Sequence, residues 1–253
     1  MLATVALTLP AGSGSAERIT ADAAAAWKPD IAAARRYAES RVGDVGFAVF
    51  DLRGRLHQWG GGGRYPMAST FKVMLMVAYL RSAGVDERRL REYDKDLLRP
   101  MIRKSDNEAA TRVRDILGRR PIEKLADRAG MKHFVWDDIW GYCQTSARDQ
   151  ALFLRTLRRY VPKRHWDFAR RQLAHIVPSQ RWGFGQAKPD GWKLYFKGGW
   201  GSGTGLVDHQ VALLTREGRR LGVAVMTEGN PSHEYGKETL EAVAERLLRG
   251  LPR

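Results

Sequence analysis

The stretch Met67-Ala68-Ser69-Thr70-Phe71-Lys72-Val73-Met74-Leu75-Met76 decides how the chain is read. Small residues lead into an apolar run, the pattern of a loop entering a buried helix. Positions i and i+3 share a helix face, so Ser69 and Lys72 would lie side by side at the first turn. The hydroxyl then has a base within reach, because burial lowers a lysine pKa. Oriented N–H groups at the helix start can meet developing negative charge. Ser-x-x-Lys is common by chance. Alone it reads as an N-cap serine followed by a solvated lysine.

Working outward, two further segments join it. Ser105-Asp106-Asn107 stands in a loop before a helical pattern, and Lys197-Gly198-Gly199 follows a strand-like run from Trp192 to Phe196. Ser-x-x-Lys, Ser-Asp-Asn and a Lys-Thr-Gly-like element, in that order, form one catalytic signature. From about Trp27 to the end the chain resembles the serine β-lactamase and penicillin-binding protein superfamily, and the class A β-lactamases most. The flanks Phe47-Ala48-Val49-Phe50-Asp51, Arg64-Tyr65-Pro66, Asn107-Glu108-Ala109-Ala110 and Glu228-Gly229-Asn230-Pro231 carry the same likeness.

The resemblance implies a serine hydrolase acting through a Ser69 acyl-enzyme, with Lys72 as the base and Ser105 passing the proton to the leaving nitrogen. It implies that Asn107 hydrogen-bonds a substrate amide, and that Lys197 depresses the Lys72 pKa and attracts a substrate carboxylate. Gly199 and Trp200 fall on the substrate-binding strand, and the oxyanion hole would be the backbone N–H groups of Ser69 and Trp200. The expected substrate is a small-molecule or peptide-like acyl donor, the expected form a monomer, and the expected location outside the cytoplasm. No cofactor or metal is expected.

Two departures qualify this. The family's deacylating glutamate belongs to a Glu-x-x-Leu-Asn segment after the second motif. Here residues 131–144 hold no glutamate; Asp137 or Asp138 could stand in with a shorter side chain, but both read better as solvated loop carboxylates. Gly198 replaces the threonine or serine whose hydroxyl helps bind a β-lactam carboxylate, and Leu206-Val207-Asp208 offers no arginine in compensation. Weak β-lactam hydrolysis is expected, with three alternatives left open. These are a D-alanyl-D-alanine peptidase or transpeptidase, an esterase on the same scaffold, and a catalytically impaired protein that binds an envelope polymer.

The elements along the chain agree with an α+β fold. Strand patterns run over 45–50 and 55–59, joined by the turn Asp51-Leu52-Arg53-Gly54, and again over 192–197, 207–214 and 221–227. Helical patterns cover 27–40, 69–82, 107–117, 121–129, 146–160, 164–174 and 232–248. Strands at both ends with helices between imply one antiparallel sheet with flanking helices beside an all-helical lobe, about residues 69–185. Residues 27–253 read as one β-lactamase/transpeptidase-like domain. Residues 1–26 read equally as the back half of a secretory signal or as a tail.

Composition narrows the field. With 43% hydrophobic residues and eight tryptophans among 253, the chain is globular. The net charge of +15 comes mostly from arginines scattered over helical segments, without the basic-aromatic tract of a nucleic-acid reader. A single cysteine, Cys143, excludes an internal disulfide and a cysteine zinc site. No run is long enough to span a membrane.

Overall fold

The apolar runs at the two ends of the chain find each other. In the computed structural model, which describes residues 27–201, 203 and 206–252, they form a five-stranded antiparallel sheet. Strands β1 (Asp44–Phe50), β2 (Leu56–Trp59), β5 (Lys193–Gly201), β6 (Val207–Arg216) and β7 (Arg219–Glu228) lie in the order β2-β1-β7-β6-β5. The register sets Phe47 opposite Val225 and Trp200 opposite Asp208. Val45–Val49 and Leu221–Thr227 are buried without alternation, so both faces of the sheet are covered. Helices α1 (Ile31–Glu39) and α9 (His233–Leu248) pack on each other, and α9 packs on β6 and β7. Helix α6 (Ala147–Thr156) packs on β1, β6 and β7. The expected signal remnant or tail over residues 1–26 lies outside the described residues.

Between the sheet halves the chain is helical: α2 (Phe71–Leu80), α3 (Glu92–Arg103), α4 (Asn107–Leu117), α5 (Arg119–Ala129), α6, α7 (Trp166–Ala174) and the short α8 (Phe184–Ala187). All ten residues of α2 are buried, Lys72 among them. A helix apolar all round belongs in the middle of a core. Ser69 stands just before it, in the 3₁₀ turn Ala68–Thr70, so the helix begins two residues later than the sequence pattern places it.

Besides the short α8, a helix and a strand pair have no counterpart in the sequence reading. Helix α3 contains Pro100, which removes one backbone donor. It forms because Leu97, Leu98, Met101 and Ile102 are buried on one stripe, and because Asp94 accepts the Arg91 N–H at 2.6 Å at its start. The second is the two-residue pairing of β3 (Tyr65–Pro66) with β4 (Gln144–Thr145). It ties the approach to Ser69 to the loop after α5. The first helix starts at Ile31 and not at Trp27, since the Asp30 side chain caps it by accepting the Ala33 N–H.

A buried histidine fixes the same approach from the sheet. The Thr227 N–H donates to His209 Nδ1 at 3.1 Å, which leaves Nε2–H to donate to the Pro66 carbonyl at 2.8 Å. Burial holds this imidazole down at about 4, hence neutral.

The contact of α6 with β7 is close enough to require glycine. A β-carbon on Gly222 would lie 2.1 Å from the Ala151 carbonyl oxygen and 2.6 Å from Arg155 Cβ. Gly222→Ala should therefore cost about 1–3 kcal/mol or more of stability, read as a lower denaturation midpoint. An unchanged midpoint would mean that α6 is not seated on β7 as described.

Candidate active site

The three sequence motifs meet at one end of β5. Lys72 Nζ donates to the Ser105 carbonyl at 2.6 Å, to Asn107 Oδ1 at 2.7 Å and to Ser105 Oγ at 3.2 Å. Lys197 Nζ donates to Ser105 Oγ at 3.0 Å and to the Gly198 carbonyl at 2.6 Å. Both lysines are fully buried. Ser69, Ser105, Asn107 and Trp200 line a common cleft of about 340 Å³. Gly199 lets β5 come up against the turn of Ser69, since a β-carbon there would lie 2.9 Å from the Ser69 and Thr70 nitrogens.

Local sequence explains how each group is held. Asp106 caps α4 by accepting the Ala109 N–H at 2.7 Å, which places Asn107 in the first turn. Ser105 is forced into the left-handed region, φ 60°, and so is Ala68, φ 45°, next to Ser69. Such backbone conformations are costly for non-glycine residues and persist only where surrounding packing imposes them.

The electrostatics follow from burial. Desolvation pulls Lys72 down to about 7, partly opposed by the nearby Asp106 carboxylate. Desolvation, with Lys72 as a like charge, holds Lys197 well below its ordinary value. The protonated Lys72 spends its three N–H donors on three acceptors. Losing a proton frees a lone pair within the same cage. Ser105 Oγ accepts from both lysines, so its own hydroxyl hydrogen is left to point elsewhere. Asn107 uses its carbonyl oxygen on Lys72, which keeps its amide N–H groups for a ligand.

The loop after α5 contributes a residue the sequence does not single out. The Trp140 ring lies over Lys72 Nζ at 4.9 Å from its centroid and stacks on Phe71 at 6.5 Å, with its Nε1–H on Thr111 Oγ1 at 3.2 Å. Asp137 and Asp138 are exposed and engaged within the loop. Asp137 Oδ1 accepts the Ile139 N–H at 2.8 Å, and Asp138 Oδ1 accepts Trp136 Nε1–H at 3.0 Å. No described residue lining the cleft is an aspartate or glutamate. Across the cleft mouth the Tyr142 hydroxyl donates to the Gly203 carbonyl. A Ser-His-Asp grouping outside the cleft, Ser146, His133 and Asp149, is not a relay. Both partners approach the same ring nitrogen, Nδ1, at 3.1 and 3.2 Å, and Ser146 caps α6.

An antiparallel sheet closed by terminal helices, beside a helical lobe with this lysine pair at the seam, defines the β-lactamase-type fold. Residues 94–251, more than half of the chain, match the model of the beta-lactamase enzyme family, and the chain belongs to that family. That match starts after Ser69 and Lys72. No curated protein sequence matches. Among solved structures, the beta-lactamase from Sphaerobacter thermophilus is similar at 23% identity, over 88% of this chain and 97% of that one, with a TM-score of 0.76. A class A beta-lactamase from Mycobacterium abscessus is 20% identical over 87% and 98%, TM-score 0.72. The structure of PBP-A is 19% identical over 85% and 93%, TM-score 0.72. At such identities the likeness is one of fold.

The position of Lys72 sets a pH dependence for any reaction in which its neutral amine takes a proton. Below about 7 the amine is protonated and unavailable, and above it the base is free. Acylation of Ser69 should therefore rise with pH through about 7 and then level. Lys72→Ala should slow it by at least ~10²-fold. Stopped-flow or quenched mass measurements across pH check both, and a flat profile would remove Lys72 as the base.

Proposed function

We propose that the chain is a serine hydrolase of β-lactamase type that forms a Ser69 acyl-enzyme and releases it slowly. The observation that carries this reading is the cage in which Lys72 Nζ and Lys197 Nζ share Ser105 Oγ beside Ser69. Ser69 Oγ attacks the acyl carbonyl and its proton passes to neutral Lys72 Nζ. The negative oxygen is met by the backbone N–H groups of Ser69 and Trp200. As the carbon–nitrogen bond breaks, Ser105 gives its hydroxyl proton to the leaving nitrogen and regains one from Lys72. The proton lost by Ser69 thus ends on the leaving group, and the acyl chain ends as an ester.

Hydrolysis of that ester needs a second base beside a water. In this chain the space over Lys72 is taken by the Trp140 indole, and both loop aspartates are committed to their own turn. This favours slow deacylation. It also supports a second reading, in which an amine or alcohol accepts the acyl group, as in a peptidase, transpeptidase or esterase.

Intact-mass spectrometry of the protein incubated with a penicillin tests the proposal. A whole-penicillin adduct on Ser69 is expected, absent in Ser69→Ala and persisting over time. An adduct that survives in Ser69→Ala would reassign the nucleophile.

Asp137→Asn and Asp138→Asn should leave the release rate of the adduct within about 2-fold of the unmodified protein, since a general base contributes typically ~10²-fold or more. Rapid steady-state hydrolysis lost in either variant would show that a loop aspartate activates the water.

A further inference from the structure

Beyond Trp200 and Gly201, which also line the catalytic cleft, lies a second cavity of about 320 Å³ walled by Leu206, Asp208, Ser232 and His233. By resemblance this end of the cleft would hold a carboxylate, through a hydroxyl following Lys197 and a cation on the facing strand. Among the described residues, position 198 and the facing strand supply neither. At Gly198 a β-carbon would lie 3.1 and 3.2 Å from Trp182 Cη2 and Cζ2, so the indole fills the place a threonine or serine would need. On the facing strand, opposite Trp200, stands Asp208.

Asp208 is an acid where an anionic ligand would want a base. It is 2% exposed, and its Oδ1 accepts His233 Nδ1–H at 2.6 Å while Oδ2 accepts Asn230 Nδ2–H at 3.0 Å. Burial pushes its carboxyl up to about 6, with the His233 and Asn230 bonds and the Lys237 charge pulling the other way. The carboxylate packs against the first turn of α9 so tightly that a β-carbon on Gly236 would meet Oδ2 at 2.0 Å. The positive end of α9, the usual attraction for an anion, is thus already occupied by an anion of the chain itself, and Ser232 Oγ caps the Tyr235 N–H. In the tautomer that donates Nδ1–H to Asp208, Nε2 of His233 is an acceptor. That ring is 45% exposed and stacks on Trp200 at 5.7 Å, with Trp182 edge-on at 5.8 Å.

We propose that this cavity is a specificity subsite that takes an amide or amine N–H group of the acyl donor and rejects a carboxylate. The donor's N–H reaches an imidazole acceptor, its body lies on the indole of Trp200, and a carboxylate in the same place meets the buried Asp208 anion. Selection works by repulsion of the wrong group as well as attraction of the right one. The inference extends the acyl-enzyme reading to the substrate class of the same cleft.

The test uses Ser69→Ala, which forms no ester, so that binding is read apart from chemistry. A penicillin and the same penicillin with its ring carboxylate converted to a carboxamide are titrated by calorimetry at pH 8. The carboxamide is expected to bind at least ~10-fold more tightly, the difference one unfavourable charge contact makes. His233→Ala, at a half-exposed position, should shrink that preference to about 3-fold or less. Asp208→Asn should do the same where circular dichroism shows it folded. Equal or tighter binding of the carboxylate, binding of neither compound, or an unchanged preference in His233→Ala would overturn the subsite. Failure of the Ser69 mass adduct in the unmodified chain would instead bear on the acyl-enzyme reading.

Discussion

Two buried lysines converging on one hydroxyl are the constraint from which the rest of this molecule follows. Lys72 and Lys197 both donate to Ser105 Oγ, and both are buried. Taking two ammonium groups out of water next to each other is strongly unfavourable unless at least one gives up its proton. The fold therefore favours a neutral amine in this pair, with Lys197 held well below its ordinary value and Lys72 drawn down to about 7. It does so by enclosing Lys72 in a helix buried on every side and Lys197 in the buried run of the edge strand β5.

Holding that pair requires rigid supports, and the structure supplies them from distant parts of the chain. His209 joins β6 and β7 to Pro66, and β4 joins the loop after α5 to the same short strand. Asp106 anchors the turn that carries Ser105 in its left-handed conformation. These contacts keep a strained backbone in place around Ser69 and Ser105. A looser frame would let both residues relax and separate the groups.

Around this arrangement for proton handling, the surroundings of the cleft differ from what the resemblance implies. An indole covers Lys72 where a water-activating carboxylate would be sought, and an indole fills the space beside Gly198 where a hydroxyl would be sought. Both changes replace a polar group by a large flat apolar one. They leave the acylation machinery assembled while altering what can enter beside it and what can take the acyl group away.

The sequence by itself determined the parts of this protein that depend on short-range regularity. The i, i+3 spacing of Ser69 and Lys72, the Asp106 cap, and the apolar runs of β1, β6 and β7 are local patterns, and each is legible without coordinates. That strands from both ends of the chain share one antiparallel sheet follows from them, whereas the order of the strands came from the tertiary structure. Helix α3 escaped because Pro100 argues locally against it, and only the burial of its apolar stripe outweighs that. The meeting of Lys72 with Ser105 across 33 residues, and of Lys197 with Ser105 across 92, was suggested by motif order alone. Tertiary structure decided the rest: Trp140 over Lys72, Trp182 against Gly198, and Asp208 paired with His233. None of these has a motif, because each is a packing outcome between segments whose local sequence is ordinary, and packing depends on shapes that only the assembled core brings together.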